Sequence, residues 1–318
     1  MKKGPRIIFF GTPEFAVGSL EIIAGNEFPV AAVVTAPDKP AGRGLKLKMS
    51  PVKEFAVTHD IPVLQPVNLK DPFFHEQLKS FAPDLFVVVA FRMLPKEVWG
   101  SPPMGTFNLH ASLLPQYRGA APINWAIING ETETGVTTFF LDDTIDTGKI
   151  VLTDKTAIRS NETAGELHDR LKTMGAALVL KTIQAIDGRQ VSSIAQETLT
   201  DPSVQLNKAP KIHKEDCLID WNKATIAIYN LIRGLSPYPG AYAELHDKNG
   251  SPVVIKIFRS HPELSETKMK PGEIVTNGKS WLKIASADGF ICIEELQMTG
   301  HKSMAIADFL NGFGRYFV

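Results

Sequence analysis

The sequence predicts an α/β protein: a doubly wound, mainly parallel sheet followed by a smaller C-terminal β-barrel. Three observations lead there. Before about residue 190, Val- and Ile-rich runs alternate with amphipathic helical segments, which is the pattern of strand–helix–strand units. After about residue 240 the apolar runs shorten, and Asn249-Gly250, Asn277-Gly278 and Asp288-Gly289 punctuate them as tight turns. The chain has 318 residues, 44% of them hydrophobic, enough for about two domains that each bury a core.

The elements follow in order. Arg6 to Gly11 is apolar, ends in Gly and reads as a buried first strand. Pro13 opens a helix that Gly25 ends, the usual Pro-in, Gly-out asymmetry. Pro29 to Thr35 is a second strand, and Ala36 to Met49 a polar, basic loop. Ser50 caps a helix with Pro51 in its first position and Glu54 close behind. Strands are expected at Asp84 to Ala90, Thr106 to His110, Gly135 to Leu141 and Ile150 to Ile158, with helices at Ala120 to Asn129 and Ala164 to Ile186. Ser192 to Ala209 is polar and irregular. The expected division is therefore a first domain over 1–190, a linker over 191–208 and a second domain over 209–318. In the second, a helix is expected at Lys223 to Arg233. Five strands follow, at Ala241 to His246, Val253 to Arg259, Glu273 to Val275, Trp281 to Ala285 and Phe290 to Glu295, and a helix at Met304 to Leu310 closes the chain. Five short strands fit a small Greek-key barrel of the oligonucleotide-binding (OB-like) type.

Bulk charge is uninformative about partners: 34 Lys and Arg balance 34 Asp and Glu. A polyanion can still be bound where basic residues cluster. Cys217 and Cys292 lie far apart, and no Cys or Cys/His cluster has metal-site spacing. Structural zinc is not expected, and two reduced thiols are. Ile7 to Phe10 is too short an apolar run for a signal peptide or a membrane span. A cytoplasmic protein is expected.

The first strand–helix turn, Gly11-Thr12-Pro13-Glu14-Phe15, stands where a dinucleotide-binding turn would stand. Pro13 and Glu14 replace the spaced glycines, and Glu14 would repel a phosphate. A helix start packed under the sheet is the better reading.

Chemistry is concentrated between Asn108 and Asp146. Asn108 and His110 are two apart on a strand, so both project from one face at its C-terminal end. That end is where open doubly wound sheets bind ligands. Asp142, Asp143 and Asp146 lie between two strands, and Asp146-Thr147-Gly148 is a turn that can return a carboxylate over the strand ends. Asn offers an amide N–H to an oxyanion, and a charged His does the same or moves a proton. An Asp beside the His favours its charged form. No nucleophile elbow accompanies them. The inventory suits direct attack of an amine on a bound acyl donor, without a covalent acyl-enzyme. Each of these residues alone has an ordinary structural explanation as a satisfied His or a turn-forming Asp.

Asn108, His110, the run SLLPQYRGAAPI (Ser112 to Ile123) and DTG (Asp146 to Gly148) resemble the signature of the folate-dependent formyltransferases. FFGTPEFA (Phe9 to Ala16), PDKPAGRGLKLKMSPVK (Pro37 to Lys53), APKIHKED (Ala209 to Asp216), LSPYPGAYA (Leu235 to Ala243) and ELQMTGHKSM (Glu295 to Met304) are similar to the branch that acts on an aminoacyl-tRNA. The resemblance spans nearly the whole chain. It implies a Rossmann-like formyltransferase domain with an OB-like second domain assisting tRNA binding. It also implies 10-formyltetrahydrofolate as co-substrate, no metal, and initiator methionyl-tRNA as acceptor partner; nothing long and apolar demands a partner subunit, and a monomer is expected. Asn108 and His110 would hold the oxyanion, and Asp146 would orient His110 and help remove the amine proton. Ser112, Leu113, Leu114 and Pro115 would line the folate site, with Phe91, Arg92 and Leu94. Two departures stand out. Ala90 to Pro95 is one residue shorter than the family's Ala-Tyr-Gly-x-x-Leu-Pro and lacks its Gly. Thr144 replaces the Gly usually found two residues before the Asp.

Lys39, Arg43, Lys46, Lys48 and Lys53 face a single acid, Asp38, in the basic loop. Most such runs are solvated surface. The resemblance makes this one the RNA-reading loop, with Arg43, Lys46 and Lys48 meeting the acceptor stem. From Asn207 to Val318, 14 Lys and Arg stand against 12 Asp and Glu, so the second domain has no dense basic patch. Lys208, Lys211 and Lys214 near the junction are its expected phosphate contacts. The alternatives are a formyltransferase for an amino sugar or glycinamide ribonucleotide, a formyltetrahydrofolate hydrolase, and a non-catalytic RNA-binding module. Combined GTPEF and PAGRG motifs disfavour the enzymes, and the intact Asn108, His110 and Asp146 disfavour the module.

Overall fold

A computed structural model describes residues 4–26, 28–41, 46–199, 203, 205–246 and 251–314. Its elements are, in chain order, β1 (Ile7–Gly11), α1 (Glu14–Ala24), β2 (Val30–Val34), β3 (Lys39–Ala41), β4 (Lys46–Lys48), α2 (Pro51–Thr58), β5 (Val63–Leu64), α3 (Pro72–Ser80), β6 (Leu85–Val89), α4 (Lys96–Trp99), β7 (Thr106–His110), β8 (Arg118–Gly119), α5 (Pro122–Ile128), β9 (Glu133–Phe140), β10 (Ile150–Ala157), α6 (Ala164–Asp187), β11 (Lys208–Ala209), α7 (Thr225–Leu235), β12 (Ala241–His246), β13 (Pro252–Leu264), β14 (Ile274–Thr276), β15 (Leu282–Ala285), β16 (Gly289–Met298), β17 (Met304–Ala305) and α8 (Ile306–Phe313). Two compact units form: 1–119, 135–156 and 168–208 in one, 120–134, 157–167 and 209–318 in the other.

The first unit holds a seven-stranded sheet in the order β10-β9-β7-β6-β1-β2-β5. Strands β7, β6, β1, β2 and β5 run parallel, and β9 is antiparallel to β7. Every residue of β1 and β6 is buried, as expected for a sheet covered on both faces, and this explains their unbroken apolar runs. One face packs Ile8, Phe10, Phe86 and Val88 against Phe74 and Leu78 of α3 and Val98 of α4. From β1 the chain winds outward to β2 and β5, then returns to β6 on the other side of β1. That reversal places a crevice at the C-terminal ends of β1, β6 and β7.

Helix α2 begins as its sequence dictates: the Ser50 hydroxyl accepts from Lys53 N at 3.1 Å, with Pro51 in the first turn. Helix α1 also starts beneath the sheet, and Glu14 receives Lys172 Nζ at 2.7 Å. Three features differ from the sequence reading. The basic loop contains a short hairpin, in which Lys39 faces Lys48 and Pro40 faces Leu47. Strand β5 and helix α3 were not expected. Helix α3 did carry a signal in Asp71-Pro72: Asp71 caps it by accepting from Phe73 N at 3.0 Å. Residues 191–208 cluster with the first unit, where Ile194 bridges Ile150.

The second unit is built on an antiparallel sheet, β12-β13-β16-β15-β14, with β17 on β16. Among the described residues these pairings form an open path; the expected ring closure of a barrel is not among them. Strand β13 runs longer than its sequence pattern suggested, because a register shift between Ile257 and Ser260 lets it keep pairing with β16 past its partnership with β12. Ile228, Ile232 and Leu235 of α7 and Phe309 and Leu310 of α8 share a core with Ile255, Ile257, Ile284, Ile291 and Ile293 of the sheet.

Candidate active site

Strand β7 brings Asn108 and His110 to the crevice. Asn108 lies opposite Val88 of β6 and Phe139 of β9, and His110 opposite Thr137. The Asn108 side chain is half-buried, and no protein group among the described residues hydrogen-bonds its amide. His110 is buried, and its Nε2 lies 2.8 Å from Tyr117 O. A carbonyl only accepts, so Nε2 carries the hydrogen, and Nδ1 is the nitrogen turned toward Asp146. Nδ1 and Asp146 Oδ2 are 3.9 Å apart. That is too long for a hydrogen bond and close enough for an ion pair with a charged ring.

The three acids of the turn separate cleanly. Asp142 is a turn former: its carboxylate accepts from Thr144 N at 2.9 Å and Thr147 Oγ1 at 2.8 Å. Asp143 is exposed and pairs with Lys96 at 3.0 Å. Asp146 alone faces His110, with its side chain 15% exposed and Oδ2 accepting from Gly119 N at 3.0 Å. Its φ of +56° is left-handed, a conformation that costs an L-residue roughly 1–2 kcal/mol. Gly148, two residues on, permits this turn. A Cβ there would lie 1.7 Å from Phe140 O, so no other residue fits without moving backbone.

The Ser112 to Pro115 segment is folded around Thr137. Thr137 Oγ1 donates to Ser112 O at 2.7 Å and accepts from Leu114 N at 3.3 Å. Ser112 donates its hydroxyl to Gln116 O at 2.7 Å and is fully buried, as is nearly all of Leu114. What this segment presents outward is Leu113, Pro115 and backbone. The peptide bond before Pro115 is cis.

After β6, Phe91 is half-buried and edge-on to Phe10 at 5.7 Å. Arg92 is exposed and donates to Val67 O at 2.9 Å and to Pro66 O; loss of hydration lowers its guanidinium pKa. Leu94 is 4% exposed and belongs to the core between sheet and helices. Its side chain packs inward, and of these three residues Phe91 and Arg92 are the more accessible.

Of the expected RNA contacts, Arg43 lies outside the described residues. Lys46 sits on the hairpin backbone, and Lys48 is exposed. Lys208, Lys211 and Lys214 are all exposed. The hairpin's base is tied down: Lys53 Nζ donates to Asp38 at 2.6 Å and to Gln65 at 2.7 Å. The Lys53 hydrogen bond, then that of Gln65, holds the Asp38 carboxyl below its ordinary range.

A separate surface cavity of about 720 Å³ is lined by Pro5, Asp84, Met104, Phe140 and Arg189. Pro5, Asp84 and Met104 precede β1, β6 and β7, so it opens at the sheet's opposite end and holds none of the expected site residues. Doubly wound sheets do not bind ligands there. Sequence reasoning missed Thr137, Tyr117 O, Gly119 N and Gln196. The first three act through or beside backbone; Tyr117 and Gly119 lie within the SLLPQYRGAAPI run, but Thr137 and Gln196 lie in no motif that announces a role. Among the described residues no group of His, Cys, Asp and Glu could hold a metal ion.

Two family models match the chain: formyl transferase over residues 5–183, and formyl transferase, C-terminal domain, over residues 211–314. The methionyl-tRNA formyltransferase of Bacteroides fragilis is 49% identical over 312 residues, which is 98% of this chain and 96% of that one. The protein of the same name from Flavobacterium johnsoniae is 52% identical over 307 residues, 96% of each chain. Solved structures with the same fold are more distant. The sugar 3N-formyl transferase WlaRD has a TM-score of 0.63 at 23% identity, over 95% of this chain and 100% of that one. An N-formyltransferase from Helicobacter canadensis has a TM-score of 0.65 at 24% identity, over 91% and 98%. With the two models matching residues 5–183 and 211–314, and about half of all positions shared with relatives over 96–98% of the chain, this chain belongs to the formyl transferase family.

Proposed function

We propose that this protein moves the formyl group of 10-formyltetrahydrofolate onto the α-amine of methionine carried by initiator tRNA, in the cytoplasm. The observation that carries the reading is the convergence of Asn108, His110 and Asp146 at the end of β7, in a chain about half identical over its length to methionyl-tRNA formyltransferases. The amine nitrogen attacks the formyl carbon, and the carbonyl oxygen becomes an oxyanion. The Asn108 amide N–H and, in the charged ring, His110 Nδ1–H receive that charge. An oxyanion donor of this kind is typically worth about 3–4 kcal/mol of barrier. Asp146 orients the ring and, directly or through one water, takes the proton that the amine loses. The bond from the formyl carbon to N10 then breaks, N10 takes up a proton, and tetrahydrofolate leaves. Both nitrogens end neutral and no covalent enzyme intermediate forms.

This reading assigns the donor to Phe91, Arg92, Leu113, Pro115 and the segment around Ser112, Leu114 and Leu94. The basic segment Pro37 to Lys53, through Arg43, Lys46 and Lys48, supplies cations to the acceptor stem, whose end bases can be splayed and read. Lys208, Lys211 and Lys214 add phosphate contacts where residues 209–318 begin, as a second domain assisting tRNA binding. The test supplies labelled 10-formyltetrahydrofolate with methionine-charged initiator and elongator tRNA, a nucleotide-linked amino sugar and glycinamide ribonucleotide. Formylation of the initiator tRNA over the elongator is expected. Label on the sugar or nucleotide, with none on methionyl-tRNA, would overturn the assignment.

A further inference from the structure

Gln196 lies outside both segments matched by the family models, in a short 3-10 turn at Gln196–Leu199. It is nonetheless fully buried. Its Nε2 donates to Asp146 O at 2.9 Å and to Gly148 O at 2.9 Å. Its Oε1 accepts from Arg118 Nε at 3.0 Å and Nη2 at 2.7 Å. A primary amide offers two donors and an acceptor with two lone pairs, so every polar capacity of this side chain is used. Glu has the length without the donors, Asn has the groups but is one methylene shorter, and Met has only the volume.

The connections close a loop around the reacting groups. Tyr117 O receives His110 Nε2, the Arg118 side chain grips Gln196, and Gly119 N donates to Asp146 Oδ2. Three consecutive residues therefore hold His110, Gln196 and Asp146. Gln196 completes the circuit by gripping the backbone on both sides of Thr147. Without it, two carbonyls of the turn lose their donor, Arg118 loses its acceptor, and the left-handed Asp146 loses a restraint against relaxing.

We infer that Gln196 is the positioning residue of the catalytic turn: it fixes the Asp146 carboxylate against His110 from a segment outside the family's matched domains. The inference rests on the reading of Asp146 as the group that orients His110 and takes the amine proton. A misplacement of about 1 Å in such a group can cost about 100-fold in rate.

The test uses the full chain. Gln196→Glu keeps the Arg118 contact, now as an ion pair, and removes the two donors to the turn. Gln196→Met removes both. Each is expected to lower kcat by about 10- to 100-fold while KM for both substrates stays within about threefold. Arg118→Met, combined with Gln196→Met, is expected to lower kcat no further than Gln196→Met alone, because the two act through one network. Thr198→Ala is the stability control, since among the described residues its hydroxyl bonds only Ala195 O in the same turn, at 2.7 Å; its kcat should be unchanged at any loss of melting temperature. If Gln196→Met does not fold, Gln196→Glu decides alone. Unchanged kcat in a folded Gln196 variant, a kcat loss matched by Thr198→Ala, or multiplicative losses in the double variant would each overturn the inference. Asp146→Asn is measured beside them. If it retains near-normal turnover, the reading of Asp146 itself falls, whatever Gln196 does.

Discussion

At the scale of single residues, the site is decided by which atoms are already spoken for. The bond from His110 Nε2 to Tyr117 O leaves Nδ1 as the nitrogen turned toward Asp146. Asp142 and Asp143 are committed to the turn and to Lys96, which leaves Asp146. The Asn108 amide has no protein partner among the described residues and is free to meet an oxyanion. Replacing Asn108 with Ala should lower kcat about 100- to 1,000-fold, the usual loss of one oxyanion donor, with KM for tRNA nearly unchanged. Steady-state kinetics with the tRNA concentration varied checks this, and a loss confined to KM would remove Asn108 from the chemistry. The thiols are a second case of environment deciding behaviour. Burial and the neighbouring Glu263 push Cys292 up to about 11, and burial raises Cys217. Neither is a thiolate at neutral pH, so a thiol reagent such as DTNB should react slowly with native protein and readily after unfolding. Rapid modification of the native chain would contradict the packing around β16.

At the scale of elements, the informative features are turns and caps. The β9–β10 connection depends on Gly148, where a Cβ would press on Phe140 O. Gly148→Ala should destabilise the fold by about 3 kcal/mol and lower turnover with it, since Asp146 sits two residues away. Thermal unfolding measures the first and kinetics the second; a variant with unchanged midpoint would show that the turn can shift cheaply. The base of the β3–β4 hairpin has a pH signature. Because folding lowers the Asp38 pKa, its contribution is fully present above the unfolded carboxylate range, near 3.9. It is lost as pH falls through the lower folded value. Lys53→Met should therefore be less stable than the parent at neutral pH, and the gap in melting temperature should close as the pH drops below about 4. A constant gap would assign the loss to packing.

At the scale of the whole molecule, zero formal net charge means that any tRNA affinity comes from placement of cations. Lys39 and Lys48 face each other across the hairpin, while Lys208, Lys211 and Lys214 are exposed elsewhere. If three or four of these cations meet phosphates, log K should fall with log salt at a slope of about −2 to −4. Arg43→Ala should weaken binding at every salt concentration. Filter binding across a salt series checks both, and a flat series would remove phosphate contacts from the binding mode.

The chain's own pattern of residues carried much of this. Strand β7 was legible to the residue, because Thr106 to His110 is bounded by turn residues and its alternation puts Asn108 and His110 on one face. Strands β1 and β6 were legible because sheets covered on both sides require continuous apolar runs. Helix α3 was within reach through Asp71-Pro72, and the β3–β4 hairpin was hidden, since Gly and Lys there read as loop. The sequence by itself determined the strand–helix alternation of the first sheet and the antiparallel style of the second, and it nominated Asn108, His110 and Asp146 as the candidate site. All of these depend on local period or local motif. Tertiary structure alone decided which ring nitrogen of His110 turns toward Asp146, that Leu94 belongs to the core, and that Gln196 holds the turn. Each of those is a contact between segments brought together only by folding, up to 78 residues apart for Arg118 and Gln196, and no local pattern encodes a distance of that kind.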